Sequence, residues 1–177
     1  MGSIVMNQAF REFRHDNSHR LRPTNIIYMA AACSIRDFTD TAGAYLRSPD
    51  GSSANFYNLC LHPRREVDEN YSAAVRGSLL IWIDNIFGNP TNFEDRTLGS
   101  FINCTLASDL LPSNTFIKGF GVNHTRDQQR GPQSHGSFGE FKWWDPAFYG
   151  DFTIDPAKLH SLRLAPESCD LPTEAPR

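Results

Sequence analysis

The stretch VDENYSAAVRGSLLIWIDNIF, Val67–Phe87, decides the fold read from this chain. Its apolar residues Val67, Tyr71, Ala74, Val75, Leu79, Trp82, Ile83, Ile86 and Phe87 recur every three or four positions, the spacing of one helical face. Asp68 and Glu69 would stand in the first turn, where the helix dipole favours negative charge, and Gly88 followed by Pro90 supplies a stop. The competing reading makes VRGSLLIWID a strand, which the unbroken LLIWI run would suit and Gly77 would tolerate. We follow the helix.

Working outward, Thr91 or Asn92 can cap a second helix with Glu94 and Asp95 in its first turn. Leu98, Phe101, Ile102, Leu106, Leu110 and Leu111 then keep helical spacing until Pro112. Joined by GNPT, the two helices would pack as an antiparallel hairpin with Trp82, Ile83, Phe101 and Ile102 in the seam. Upstream, Ile4–Phe13 has helical spacing, Ile26–Ile35 reads as a strand, residues 39–56 as a turn-rich surface loop, and Phe56–Leu61 as a short strand closed by Pro63. Downstream, Phe116–Val122 and Gly139–Trp144 read as strands, Phe148–Ile154 as a third, and Pro156–Leu164 as a turn or two of helix. The expected fold class is therefore α+β: a central helical hairpin packed on a small, mainly antiparallel sheet drawn largely from the C-terminal half, with an all-β sandwich as the alternative. A single globular domain would span residues 1–166, followed by a flexible tail over residues 167–177.

Composition sets the outer limits. A chain of 177 residues with 40% hydrophobic and 21% charged residues suits one domain with a real core. The formal net charge of -3 argues against a general affinity for phosphate backbones, so nucleic acid is not expected as a partner. No apolar run approaches the roughly 18 to 20 residues of a membrane span, and charges break up the first 25 residues where a secretory leader would need an apolar stretch. No membrane association and a cytoplasmic location are the expectation. Cys33, Cys60, Cys104 and Cys169 form no C-x-x-C pair, and we read them as buried thiols, although an even count also permits two disulfides.

The common fingerprints fail. There is no phosphate-binding G-x-x-x-x-G-K-[ST], no G-x-G-x-x-G, no G-x-S-x-G elbow, no H-E-x-x-H and no EF-hand loop. No organic cofactor is expected, and no metal either, because His124 and His135 stand alone without a ligand scaffold. What remains is NHTRDQQRGPQSHGS, residues 123–137, a polar segment long enough to be functional or disordered. It holds His124, Arg126, Asp127, Arg130 and His135, with Glu140 and the pair Trp143–Trp144 just beyond. Imidazole exchanges protons near neutral pH, a carboxylate can fix its tautomer, and guanidinium can hold an anion, yet the same residues also gather in loops because water solvates them there.

Adjacent tryptophans in a strand would point to opposite faces, one into the core and one, Trp143, towards a partner. Two functions are carried forward. One is a soluble accessory or protein-interaction module without catalysis, meeting a protein or small-molecule partner through Trp143, Trp144 and Tyr149. The other is a small cofactor-independent hydrolase or lyase, with His124 as base, Asp127 or Glu140 as its orienter, Arg126 stabilising negative charge and His135 nearby.

Overall fold

The structure, a computed structural model, describes residues 2–13, 22–72, 75–121 and 131–150. Three strands form its main sheet: β1 (Asn25–Met29), β2 (Asn55–Leu61) and β5 (Thr115–Phe120), in the order β1-β2-β5. Both pairings are parallel, Ile26 lying beside Phe56 and Phe56 beside Thr115. This overturns the mainly antiparallel sheet and the all-β sandwich expected from the sequence. Three of the five expected strands are found, but two of these three lie in the N-terminal half, not the C-terminal half, and their direction differs from that expected. Long connections permit the crossovers that parallel neighbours need, and NFYNLCL is apolar on both sides, as a strand covered on two faces must be.

The first crossover holds α2 (Ile35–Asp40) and α3 (Ala42–Arg47). Ser34 caps α2 by accepting the Asp37 amide at 3.0 Å, so the segment 39–56, expected as loop, begins as helix and turns only after Arg47. The second crossover includes α6 (Phe101–Leu106) and ends at Pro112. Ile35, Phe38, Ala42 and Leu46 from the first, and Cys104, Ala107 and Leu111 from the second, pack in one core with Ile26, Tyr28, Phe56, Cys60 and Ile117. Helices α2, α3 and α6 thus lie on one sheet face. A sheet built in one direction by crossovers of one hand leaves its other face bare. That face, with Ile27, Met29, Tyr57, Leu59, Leu61 and Phe120, is covered by Phe138, Phe148 and Tyr149 from the segment after β5. Cys33, Cys60 and Cys104 are buried free thiols.

Residues 67–87 are not one helix. Helix α4 (Pro63–Asp68) starts at a His62 cap with proline in its first turn and stops before the short antiparallel pair β3 (Asn70–Ser72) and β4 (Val75–Arg76). Gly77 then adopts a φ of +96°, and Ser78 caps a new helix, α5 (Leu79–Trp82), by accepting the Ile81 amide at 3.4 Å. A π-helical turn, Ile83–Phe87, follows and carries Asp84 inward. There Asp84 accepts the Thr97 amide at 2.7 Å, the Thr97 hydroxyl at 3.1 Å and the Asn103 amide at 2.6 Å. This network, and not an apolar seam, ties the stretch to α6, so the central helical hairpin is also corrected. Asn92 does cap a turn with Asp95, but a 3₁₀ turn, Phe93–Asp95, and not the start of a long helix.

Helix α1 (Gly2–Phe13) forms where expected and docks through Ser3, Asn7 and Phe10, leaving Ile4 and Val5 exposed: Phe10 joins the core, while Asn7 donates to Asp37 at 2.6 Å and accepts the Tyr28 hydroxyl at 2.6 Å. The strands expected at 139–144 and 148–154 are replaced over the described residues by a 3₁₀ turn, His135–Glu140, and by α7 (Pro146–Gly150). Residues 151–177, including the expected helix at 156–164 and the tail, lie outside the described residues.

Candidate functional site

The carboxyl ends of β2 and β5 meet where the His62 amide donates to the Phe120 carbonyl at 2.7 Å. In open parallel sheets ligands gather at this edge where the strand order reverses, whereas the order β1-β2-β5 runs one way, so the side chains at the edge and not the topology single it out. His62 leaves β2 and immediately caps α4, its Nδ1 accepting the Arg64 amide at 3.3 Å. Burial, then the neighbouring Arg64 and Arg65 charges, push its imidazole below the ordinary range, which keeps it neutral and acting as a cap. Beside it Gly121, at a φ of +78°, lets the chain pass the Arg65 stem, where a side chain would come within 2.6 Å.

Glu66, one turn into α4, and Glu69, its C-cap, face His135 from the segment after β5. The His135 amide donates to Glu69 Oε1 at 3.0 Å, and its ring Nδ1 meets Glu69 Oε2. The other ring nitrogen, Nε2, lies 3.5 Å from Glu66 Oε1, within ion-pairing reach but without hydrogen-bond geometry. Glu66 is only 3% exposed, and its second oxygen accepts the hydroxyl of Ser78. The backbone reinforces the arrangement, since the amides of Gly77 and Ser78 donate to the carbonyls of Glu69 and Glu66 at 2.6 and 2.7 Å. Burial by itself would lower the His135 pKa, but the carboxylates of Glu66 and Glu69 outweigh it and raise the imidazole above 6.5.

Of the residues nominated from the sequence, His124, Arg126 and Asp127 lie outside the described residues, in the interval 122–130 between Gly121 and Gly131. His135 is described, and its carboxylate partners are Glu66 and Glu69. Glu140 is exposed at the end of the 3₁₀ turn. Tyr149 is buried with its ring 4.5 Å from that of Tyr57. The tryptophans stand in a turn, and neither enters the core: Trp143 is 40% and Trp144 61% exposed, the rings edge-to-face with centroids 5.4 Å apart. Asp145 closes this turn by accepting the Ala147 amide at 3.0 Å.

Glu66, Glu69 and Ser78 were missed by sequence reading. The only available signal was the placement of Glu66 and Glu69 one helical turn apart behind a His-Pro helix start. Among the described residues no cluster of three or more His, Cys, Asp or Glu side chains is arranged to hold a metal ion, and no helix is long and apolar enough to cross a membrane. Comparison with protein-family models, curated proteins and solved structures finds no match to this chain.

Proposed function

We propose that this chain is an accessory interaction module that engages a protein partner through the turn carrying Trp143 and Trp144. The observation that carries the reading is the outward placement of both indoles. Large aromatic surface left in water without a core role is costly to the free protein and profitable to cover, which is why tryptophan is enriched among the few residues that dominate interfaces. The charged cluster at the sheet edge supports the same reading from the other side. A general base needs an unprotonated nitrogen facing substrate, whereas both nitrogens of His135 face carboxylates.

The test is to capture a partner with the wild-type chain, purify it, and measure Kd for Trp143→Ala and Trp144→Ala. Each truncation is expected to cost about 2 kcal/mol, roughly 30-fold in Kd, with the melting temperature unchanged. Unchanged affinity in both variants, or a large loss of stability in either, rejects the assignment.

A second reading, acid/base catalysis centred on His124 with Asp127 or Glu140 and Arg126, draws support from one feature: Gly121 and Gly131, the described residues on either side of the interval holding His124, both lie beside Phe120, the last residue of β5. His124→Ala would then remove turnover of an ester, amide or phosphoester from a substrate panel while leaving the melting temperature in place. Activity that survives the substitution refutes it.

A further inference from the structure

We propose that Glu66, Glu69 and His135 form a proton-dependent clasp, which fastens the segment 131–150 to α4 while the imidazole carries both of its protons and loosens it when one leaves. A neutral imidazole has one N–H and one lone pair, so it can satisfy only one acceptor. His135 faces an acceptor on each side, Glu69 Oε2 at Nδ1 and Glu66 Oε1 at Nε2. Whichever tautomer formed, a neutral ring would turn a lone pair towards a carboxylate oxygen that has no other hydrogen bond among the described residues on the Glu66 side, or would break the contact with Glu69.

Among the described residues the groups facing the ring are few. Helix α4 and its C-cap present Glu66 and Glu69, and the corner before α5 presents Ser78, uncharged and already donating to Glu66. On the same helix Arg64 pairs with Asp68 at 3.8 Å on the exposed side, and the Arg65 stem lies against Gly121. With the proton in place the cluster carries one net negative charge, and without it two, in a site where Glu66 is almost wholly withdrawn from water.

The fastening matters because of what it holds. His135 opens the 3₁₀ turn that seats Phe138 against Phe120 with ring centroids 5.7 Å apart, and the same segment continues through the tryptophan turn to α7. The clasp therefore governs how firmly one sheet face is covered, and it stands whether or not the tryptophans bind a partner.

The folded-state pKa of His135 is raised above 6.5, so its contribution is fully present below pH 6.5 and is lost as pH rises through the folded value.

The experiment is a pH titration of the full chain labelled with ¹⁵N at histidine, together with amide exchange corrected for its intrinsic pH dependence. At pH 6.5 both His135 nitrogens should show protonated shifts, with a titration midpoint above that of a free imidazole. Protection of the amides in 131–140 should fall by about tenfold per pH unit between about pH 6.5 and that midpoint, and level off beyond it. Glu69→Gln should move the midpoint down. One unprotonated nitrogen at pH 6.5, or protection that ignores the titration, overturns the proposal. If Glu69→Gln does not fold, the wild-type titration decides alone.

Discussion

Gly99 has no room for a side chain. Its amide donates to the Ala31 carbonyl at 2.8 Å, and a methyl group in its place would come within 2.1 Å of the Ala31 nitrogen. Backbone cannot yield as a flexible side-chain tip does. Gly99→Ala is expected to cost about 3 kcal/mol, measured as a shift in urea midpoint at constant slope. A loss within about 0.5 kcal/mol would mean that the two segments do not touch. Nothing in RTLGSF announces this contact, because it depends on a partner far away in the chain. The same limit explains the sheet-edge cluster. The sequence reading gives a carboxylate partner, Asp127 or Glu140, only to His124 and none to His135, whereas Glu69, 66 positions from His135, is the residue that grips it. Caps were more legible: Asn92 and Asp95 do satisfy each other's backbone, because that chemistry is complete within four residues.

Periodicity misled at the scale of the element. Counting apolar residues at three and four positions treated residues 67–87 as one face, yet Val67 is 59% and Ile86 55% exposed while Leu80, outside that count, is buried. The interruption was written in Gly77-Ser78, a left-handed glycine followed by a helix cap, which hydrophobic spacing does not weigh. The consequence is measurable. Leu80→Ala should destabilise by about 2–5 kcal/mol, and Ile86→Ala by no more than about 0.5 kcal/mol. A continuous helix with the expected face would give the reverse order in chemical denaturation. The tryptophan turn failed for a related reason: aromatic residues flanked by glycine resemble a strand, but Asp145-Pro146 makes a turn and a helix start instead.

For the whole molecule, three strands were legible because each is a short apolar run bounded by turn residues, and two helical regions were found approximately. Strand direction was not legible, since a run buried on both faces reads the same way in either orientation. The structure makes stability depend on both faces of the sheet. Phe38→Ala opens the crossover face and Phe138→Ala the opposite one, and each should cost about 3–5 kcal/mol in thermal or urea unfolding. If Phe138→Ala proves neutral, the segment 131–150 does not cover the sheet.

The one-way strand order has a bearing on biosynthesis. A ribosome emitting this chain completes the β1-β2-β5 ladder while Tyr57, Leu59, Leu61 and Phe120 still lack the residues that seal them, because Phe138, Phe148 and Tyr149 emerge afterwards. During that interval the nascent chain presents a greasy plate to solvent or to any chaperone at the exit tunnel, so its safe passage is set by how fast translation delivers the closing segment.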